Sequence, residues 1–159
     1  MFFSLKKIMQ RNAGPYPTGI WIAFLAIFLI FLAWLMQAYS LFNWEGAVGM
    51  GLQNGSFSGD ALDRALASKE RGEAIADLLW SLPLTFLAAI GLFKRSFYGF
   101  VASMMVFAIC IYFPLFYIFQ LWETHRETAM GAVILWGMPS LLGILGLWAN
   151  RQLFQKQTL

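Results

Sequence analysis

The chain has 159 residues, of which 60% are hydrophobic, 18% aromatic and only 12% charged, and its net charge is +3. Soluble domains carry about 25% charged residues, so the polar groups here are too few to wrap a domain of this size in water. That excludes a soluble globular domain, a disordered or coiled-coil chain, and a nucleic-acid binder, whose basic residues would be many and clustered.

One cysteine, Cys110, leaves no internal disulfide and no CxxC site. What remains is a single membrane domain with the lipid bilayer as its main partner. Crossing about 30 Å of hydrocarbon takes about 20 mostly apolar residues, and four stretches meet that length. Ahead of the first, residues 1–9 with Lys6 and Lys7 read as a short amphipathic helix on an anionic leaflet or, more simply, as the ordinary positive-inside signal. The first span, about residues 20–42, is uncharged. It is too long for the apolar part of a signal peptide and lacks a small-x-small cleavage site, because Met36 stands two positions before Ala38. We therefore expect a retained helix.

Residues 43–73 make the one sizeable extramembrane loop. Gly46, Gly49, Gly51, Gly55 and Gly59 predict a turn-rich first half. Asp60 then reads as a helix N-cap with Asp63 in the first turn, giving a short helix over about 60–71 supported by an Asp60–Arg64 pair and broken at Gly72. The loop reads as a solvated linker or, alternatively, as a lid over an outer-facing site. Asn54-Gly55-Ser56 fits a glycosylation sequon, a weak motif outside a secretory pathway.

The second span covers about 74–93. Asp77, Ser81, Thr85 and Ala89 recur every four residues and stack on one face, with Glu73 a turn outward. A carboxylate on a face of small hydroxyl residues should point into a helix bundle; the alternative is a hydrated acid at the outer interface. Lys94 and Arg95 fill the turn before the uncharged third span, about 97–122. The next turn, Glu123-Thr-His125-Arg-Glu127, holds the sole histidine. It reads as a solvated turn rather than a metal site, having no second histidine and an arginine in its midst. The fourth span, about 129–148, presents Gly131, Gly137, Ser140, Gly143 and Gly146 as a small-residue face for packing within the bundle or against a second copy. No stretch alternates with the period of a strand.

The charges sort by side. Lys6, Lys7, Arg11, Lys94, Arg95, Arg151 and Lys156 flank one end of the spans without a single acid; Arg64, Lys69, Arg71 and Arg126 share the other end with all eight acids. The positive-inside rule then predicts a multi-pass protein of the plasma (cell inner) membrane with both termini cytoplasmic. The expected fold is all-α, a four-transmembrane-helix up-down bundle. A recurrence adds detail: Tyr39 to Glu45 and Tyr117 to Glu123 share tyrosine, tryptophan and glutamate at equal spacing. Leu79-Trp80-Ser81-Leu82-Pro83 likewise resembles Leu135-Trp136-Gly137-Met138-Pro139. Either the chain is two tandem pseudo-symmetric hairpins, or tryptophan-rich sequence matches itself by chance.

Pro83, Pro114 and Pro139 lie nine, eight and ten residues from the expected outer ends at Ala74, Trp122 and Ala129, a common depth of about 12–15 Å. Kinks at one depth would open an outer-facing pocket, although membrane helices also use proline for packing alone. Its lining would be Asp77, Glu123, Glu45, Trp80, Trp136, Tyr117, Ser81 and Thr85, acids under aromatic rings that suit an amphipathic or cationic small molecule. The competing explanation of the rings is an ordinary aromatic belt. The function expected is therefore non-enzymatic: an accessory subunit of a homo-oligomer or larger membrane complex, or a binder of such a ligand. No catalytic residue, metal or cofactor is expected. A transporter or channel using the same cavity is the second reading, weakened by the lack of an acid at the bilayer midplane. An interfacial enzyme using Asp77, Glu123 and His125 is the third.

Overall fold

The computed structural model of the chain describes residues 2–155; Met1 and Lys156, which enter the readings above, lie outside the described residues. Four helices are long and apolar enough to cross a membrane: Thr18–Phe42, Ala61–Phe93, Phe97–Leu121 and Arg126–Ala149. Only 33–39% of the most apolar stretch of each is buried against protein, so most of the apolar side chains point outward, an arrangement suited to hydrocarbon and unfavourable in water.

In chain order, helix α1 (Phe2–Met9) leads to strands β1 (Asn12–Ala13) and β2 (Tyr16–Pro17), which pair antiparallel with Ala13 opposite Tyr16. This small ladder was not expected. Its turn residue Gly14 has a φ of +73°, but two-residue strands are too short to show alternation. Helix α2 (Thr18–Phe42) follows, then α3 (Trp44–Gly49), a loop, α4 (Ala61–Ala76), a π-helical turn at Asp77–Ser81 and α5 (Leu82–Phe93). Beyond a tight turn come α6 (Phe97–Leu121), α7 (Arg126–Ala132), a second π-turn at Val133–Gly137, α8 (Met138–Ala149) and α9 (Gln152–Gln155).

The chain divides into two compact units, Phe31–Pro83 and Met1–Ile30 with Leu84–Leu159. In the larger, glycine sets helix distances. Gly91 and Gly99 face each other so closely that a Cβ on either would overlap the other's backbone, which ties the α5–α6 turn; the Ser96 side chain caps α6 by accepting from the Gly99 N–H at 3.1 Å. A Cβ on Gly19 of α2 would come within 2.8 Å of the Gly146 Cα, and the ring of Phe107 fills the space over Gly143. Pro114 of α6 rests against Gly137. The small-residue face of the fourth span is thus used inside this unit, except Gly131, which faces open space.

In the smaller unit, Asp60 caps α4 in a capping box with Asp63. Arg64 does not pair with Asp60; its guanidinium donates to the Gly59 carbonyl at 2.7 Å. Nor does Gly72 end the helix, which runs on to Ala76 and through the π-turn into α5. A glycine inside a helix costs about 1 kcal/mol against alanine, and here the capping box and a Lys69–Glu73 ion pair of 3.0 Å across the glycine offset it.

Both π-turns sit at the same place in their helices. Leu82 N–H bonds back five residues to the Asp77 carbonyl, and Met138 N–H to that of Val133. A proline, Pro83 or Pro139, follows two residues after each turn. Proline lacks the N–H that an α-helix directs four residues back and crowds the carbonyl there, and a widened turn just before it relieves that conflict.

Candidate functional site

The π-turn of the smaller unit carries the most unusual group in the chain. Burial on α4 recurs at Ala67, Glu70, Ala74 and Asp77, three or four residues apart, so the helix turns one stripe inward and Asp77 falls on it. Its carboxylate, only 5% exposed, accepts a 3.1 Å hydrogen bond from the Ser81 hydroxyl four residues on. Among the described residues no cation forms an ion pair with it; the ion pair on this helix is Lys69–Glu73. Trp80, in the same turn, is 63% exposed. The turn therefore holds a sheltered carboxylate, a hydroxyl that donates to it and, three residues along the chain, a largely exposed indole. Chemically the carboxylate is a hydrogen-bond and charge acceptor, fit for an ammonium-type group. Thr85, next on the face, is buried.

Two other acids of this unit hold the loop instead. Glu70, also 5% exposed, accepts from Asn54 N–H at 2.9 Å, Asn54 Nδ2 at 2.7 Å and Gly55 N–H at 3.0 Å. The Nδ2 that a glycan would use is thus held in the fold. Gly55 lies on the backbone of Leu66 and Ala67, where any Cβ would overlap. Glu45, fully exposed, accepts from the Ser56 hydroxyl at 2.7 Å and from the Phe57 and Ser58 N–H groups at 2.9 and 3.2 Å. The Ser56 hydroxyl, more than the two N–H groups, holds its carboxyl below the usual carboxylate range. Beside it Trp44 donates to the Gly55 carbonyl at 2.8 Å and packs on Phe57. Gln53 completes the fastening, donating to Gln37 Oε1 at 2.7 Å and Ser40 Oγ at 3.0 Å. The loop of residues 50–60 is a pinned cap rather than a loose linker.

In the larger unit, Tyr117 and Trp136 come together with Phe113, ring centroids 6.2–6.3 Å apart. Glu123 is exposed in the α6–α7 turn, and His125 occupies the N-cap position of α7 without a side-chain cap bond. Arg126 covers the Trp122 ring at 4.3 Å. Among the described residues no three of His, Cys, Asp and Glu gather to hold a metal ion.

Asp77, Ser81 and Trp80 thus share one turn, Tyr117 and Trp136 share one aromatic cluster, and Glu45 serves the loop. Sequence reasoning missed Glu70, Gln53 and the π-turns. Glu70 had a signal, since Ala67, Glu70 and Ala74 repeat at helical spacing and only a partnered acid fits such a stripe. Comparison with family models, with curated proteins and with solved structures found no match.

Proposed function

We propose that the chain is a plasma-membrane protein with both termini in the cytoplasm that binds a small cationic, amphipathic ligand at the Asp77–Ser81 turn. The observation that carries this reading is the Asp77 carboxylate itself: sheltered, oriented by Ser81 and without a cation of its own among the described residues. A buried carboxylate is expensive unless a countercharge or hydrogen bonds satisfy it, and an ammonium group from a ligand would supply the countercharge. Trp80 would cover its apolar part.

The test is binding of radiolabelled tetraphenylphosphonium, a lipophilic cation, to the purified protein in nanodiscs, with empty nanodiscs as background. Asp77→Asn keeps the shape and the Ser81 bond and removes the charge; it should weaken binding tenfold or more, since losing one partner of a sheltered charge pair costs about 2–5 kcal/mol. Equal affinity in both proteins, or no binding above empty nanodiscs, would end this reading.

A specific observation favours a second reading, transport through the same site. Two helices are interrupted by a π-turn and a proline at corresponding positions, Trp80 and Trp136 occupy the fourth place of each turn, and α2 and α6 are both 25 residues long. We read this as two tandem hairpins in an up-down bundle, and paired interruptions in repeated halves are where transporters bind substrate. Flux of a membrane-impermeant organic cation, radiolabelled tetramethylammonium, into proteoliposomes above the level of protein-free vesicles is the expected result if it transports; equal uptake by both would count against transport.

A further inference from the structure

We propose that the basic end of the larger unit is a binding surface for the phosphate headgroups of anionic phospholipids. The inference rests on the chain spanning a membrane and not on the Asp77 reading. Six cations belong to this end: Lys6, Lys7, Arg11, Lys94, Arg95 and Arg151. Residues 1–44, 78–122 and 128–155 contain no Asp or Glu at all, so nothing in these segments neutralises them.

The cations are also brought together by folded structure. The end of α1 is tied to the end of α8, with Asn150 Nδ2 donating to the Met9 carbonyl at 3.0 Å and Gln10 Nε2 to that of Ala149 at 2.7 Å. The β1–β2 turn is tied to the α5–α6 turn: the Tyr16 hydroxyl donates to the Phe93 carbonyl at 2.9 Å, and Arg95 donates to the Pro15 carbonyl while its guanidinium lies 4.6 Å above the Tyr16 ring. Arg95 and Arg151, the latter stacked on Trp148, are thereby held in place. Lys6, Lys7, Arg11 and Lys94 are exposed, with no carboxylate of the described residues on them.

Next to Lys94, Phe93, Phe97 and Tyr98 are exposed as well. Apolar and aromatic side chains beside unpaired lysines at the end of membrane-spanning helices match the boundary between acyl chains and headgroups. A leaflet rich in anionic lipid attracts each such cation, and fixing their positions lets one phosphate meet several of them.

The experiment is native mass spectrometry of the detergent-purified full chain titrated with phosphatidylglycerol or phosphatidylcholine. The wild type should retain the anionic lipid at least tenfold better. Each cation neutralised should lower its apparent affinity about fivefold, so Lys6→Gln, Lys7→Gln, Arg11→Gln and Lys94→Gln combined should erase the preference. Arg64→Gln with Arg126→Gln should leave it intact. Should the quadruple variant misfold, Lys94→Gln alone and wild type in high salt carry the same test, both with a reduced preference expected. Equal retention of both lipids, a preference untouched by these changes, or full displacement by millimolar inorganic phosphate would overturn the proposal.

Discussion

Removing the Glu70 side chain should release the cap of residues 50–60 while leaving the helices in place. In Glu70→Ala three donors lose their acceptor: the N–H groups of Asn54 and Gly55 and the Asn54 side-chain amide. Hydrogen bonds to a charged group contribute about 1.5–3 kcal/mol each, but they share one carboxylate and the freed loop can reach water, so the loss should be about 3–5 kcal/mol rather than the full sum. Glu70→Gln is the informative companion. Its carbonyl still accepts from the two backbone N–H groups, and Asn54 can turn its amide to face the new NH₂ group, so the loss should fall to about 1–2 kcal/mol. Hydrogen exchange of the Asn54 and Gly55 amides reads this directly, because each 1.4 kcal/mol of lost local stability speeds exchange about tenfold. Exchange should accelerate at least a hundredfold in the alanine variant and about tenfold in the glutamine variant. Wild-type protection in Glu70→Ala, or equal acceleration in both variants, would refute the argument that the carboxylate is the fastening.

Other expectations concern packing and pH. Gly143→Ala would set a Cβ about as close as 2.5 Å to the Phe107 ring; overpacking of this kind costs about 1–3 kcal/mol, so thermal unfolding in detergent should come at a lower temperature, whereas Gly131→Ala, in open space, should not lower it. The Glu45 carboxyl is held below its ordinary range by the folded loop, so its contribution to loop order is complete above the unfolded-state value and disappears as pH falls through the lower folded-state value. Protection of the Phe57 and Ser58 amides, measured against the intrinsic exchange rate at each pH, should therefore fall on acidification below the ordinary carboxylate range, and Glu45→Gln should remove that dependence.

Much of the fold was legible because lipid imposes simple rules. Uncharged runs such as 97–122 are long and apolar enough to cross a membrane as helices, and Asp60 with Asp63 announces a helix start through donors that need acceptors. Gly72 misled because propensity is local, whereas the ion pair across it and the capping box act on the whole helix. At the candidate site, the i,i+4 spacing of Asp77 and Ser81 revealed their shared face. The loop fastening was not legible, since Glu70 and Asn54 meet across 16 residues and no local rule links them. The same holds for Gln53 and Gln37, and for Asn150 and Met9 at opposite ends of the chain.

The π-turns also bear on how these helices tolerate change in length. Inward-facing positions on the second long helix step by three or four up to Asp77, then by four and four through Ser81 and Thr85; on the fourth they step by five from Ala132 to Gly137. In each helix the bond back over five residues, from Leu82 to Asp77 and from Met138 to Val133, accommodates one supernumerary residue locally. Deleting a single residue within Asp77–Ser81 or Val133–Gly137 would restore a regular ladder with both faces in phase, whereas the same deletion elsewhere would rotate one half of the helix by about 100° against the other. The two turns are therefore the places where these helices can gain or lose a residue without turning their faces to lipid.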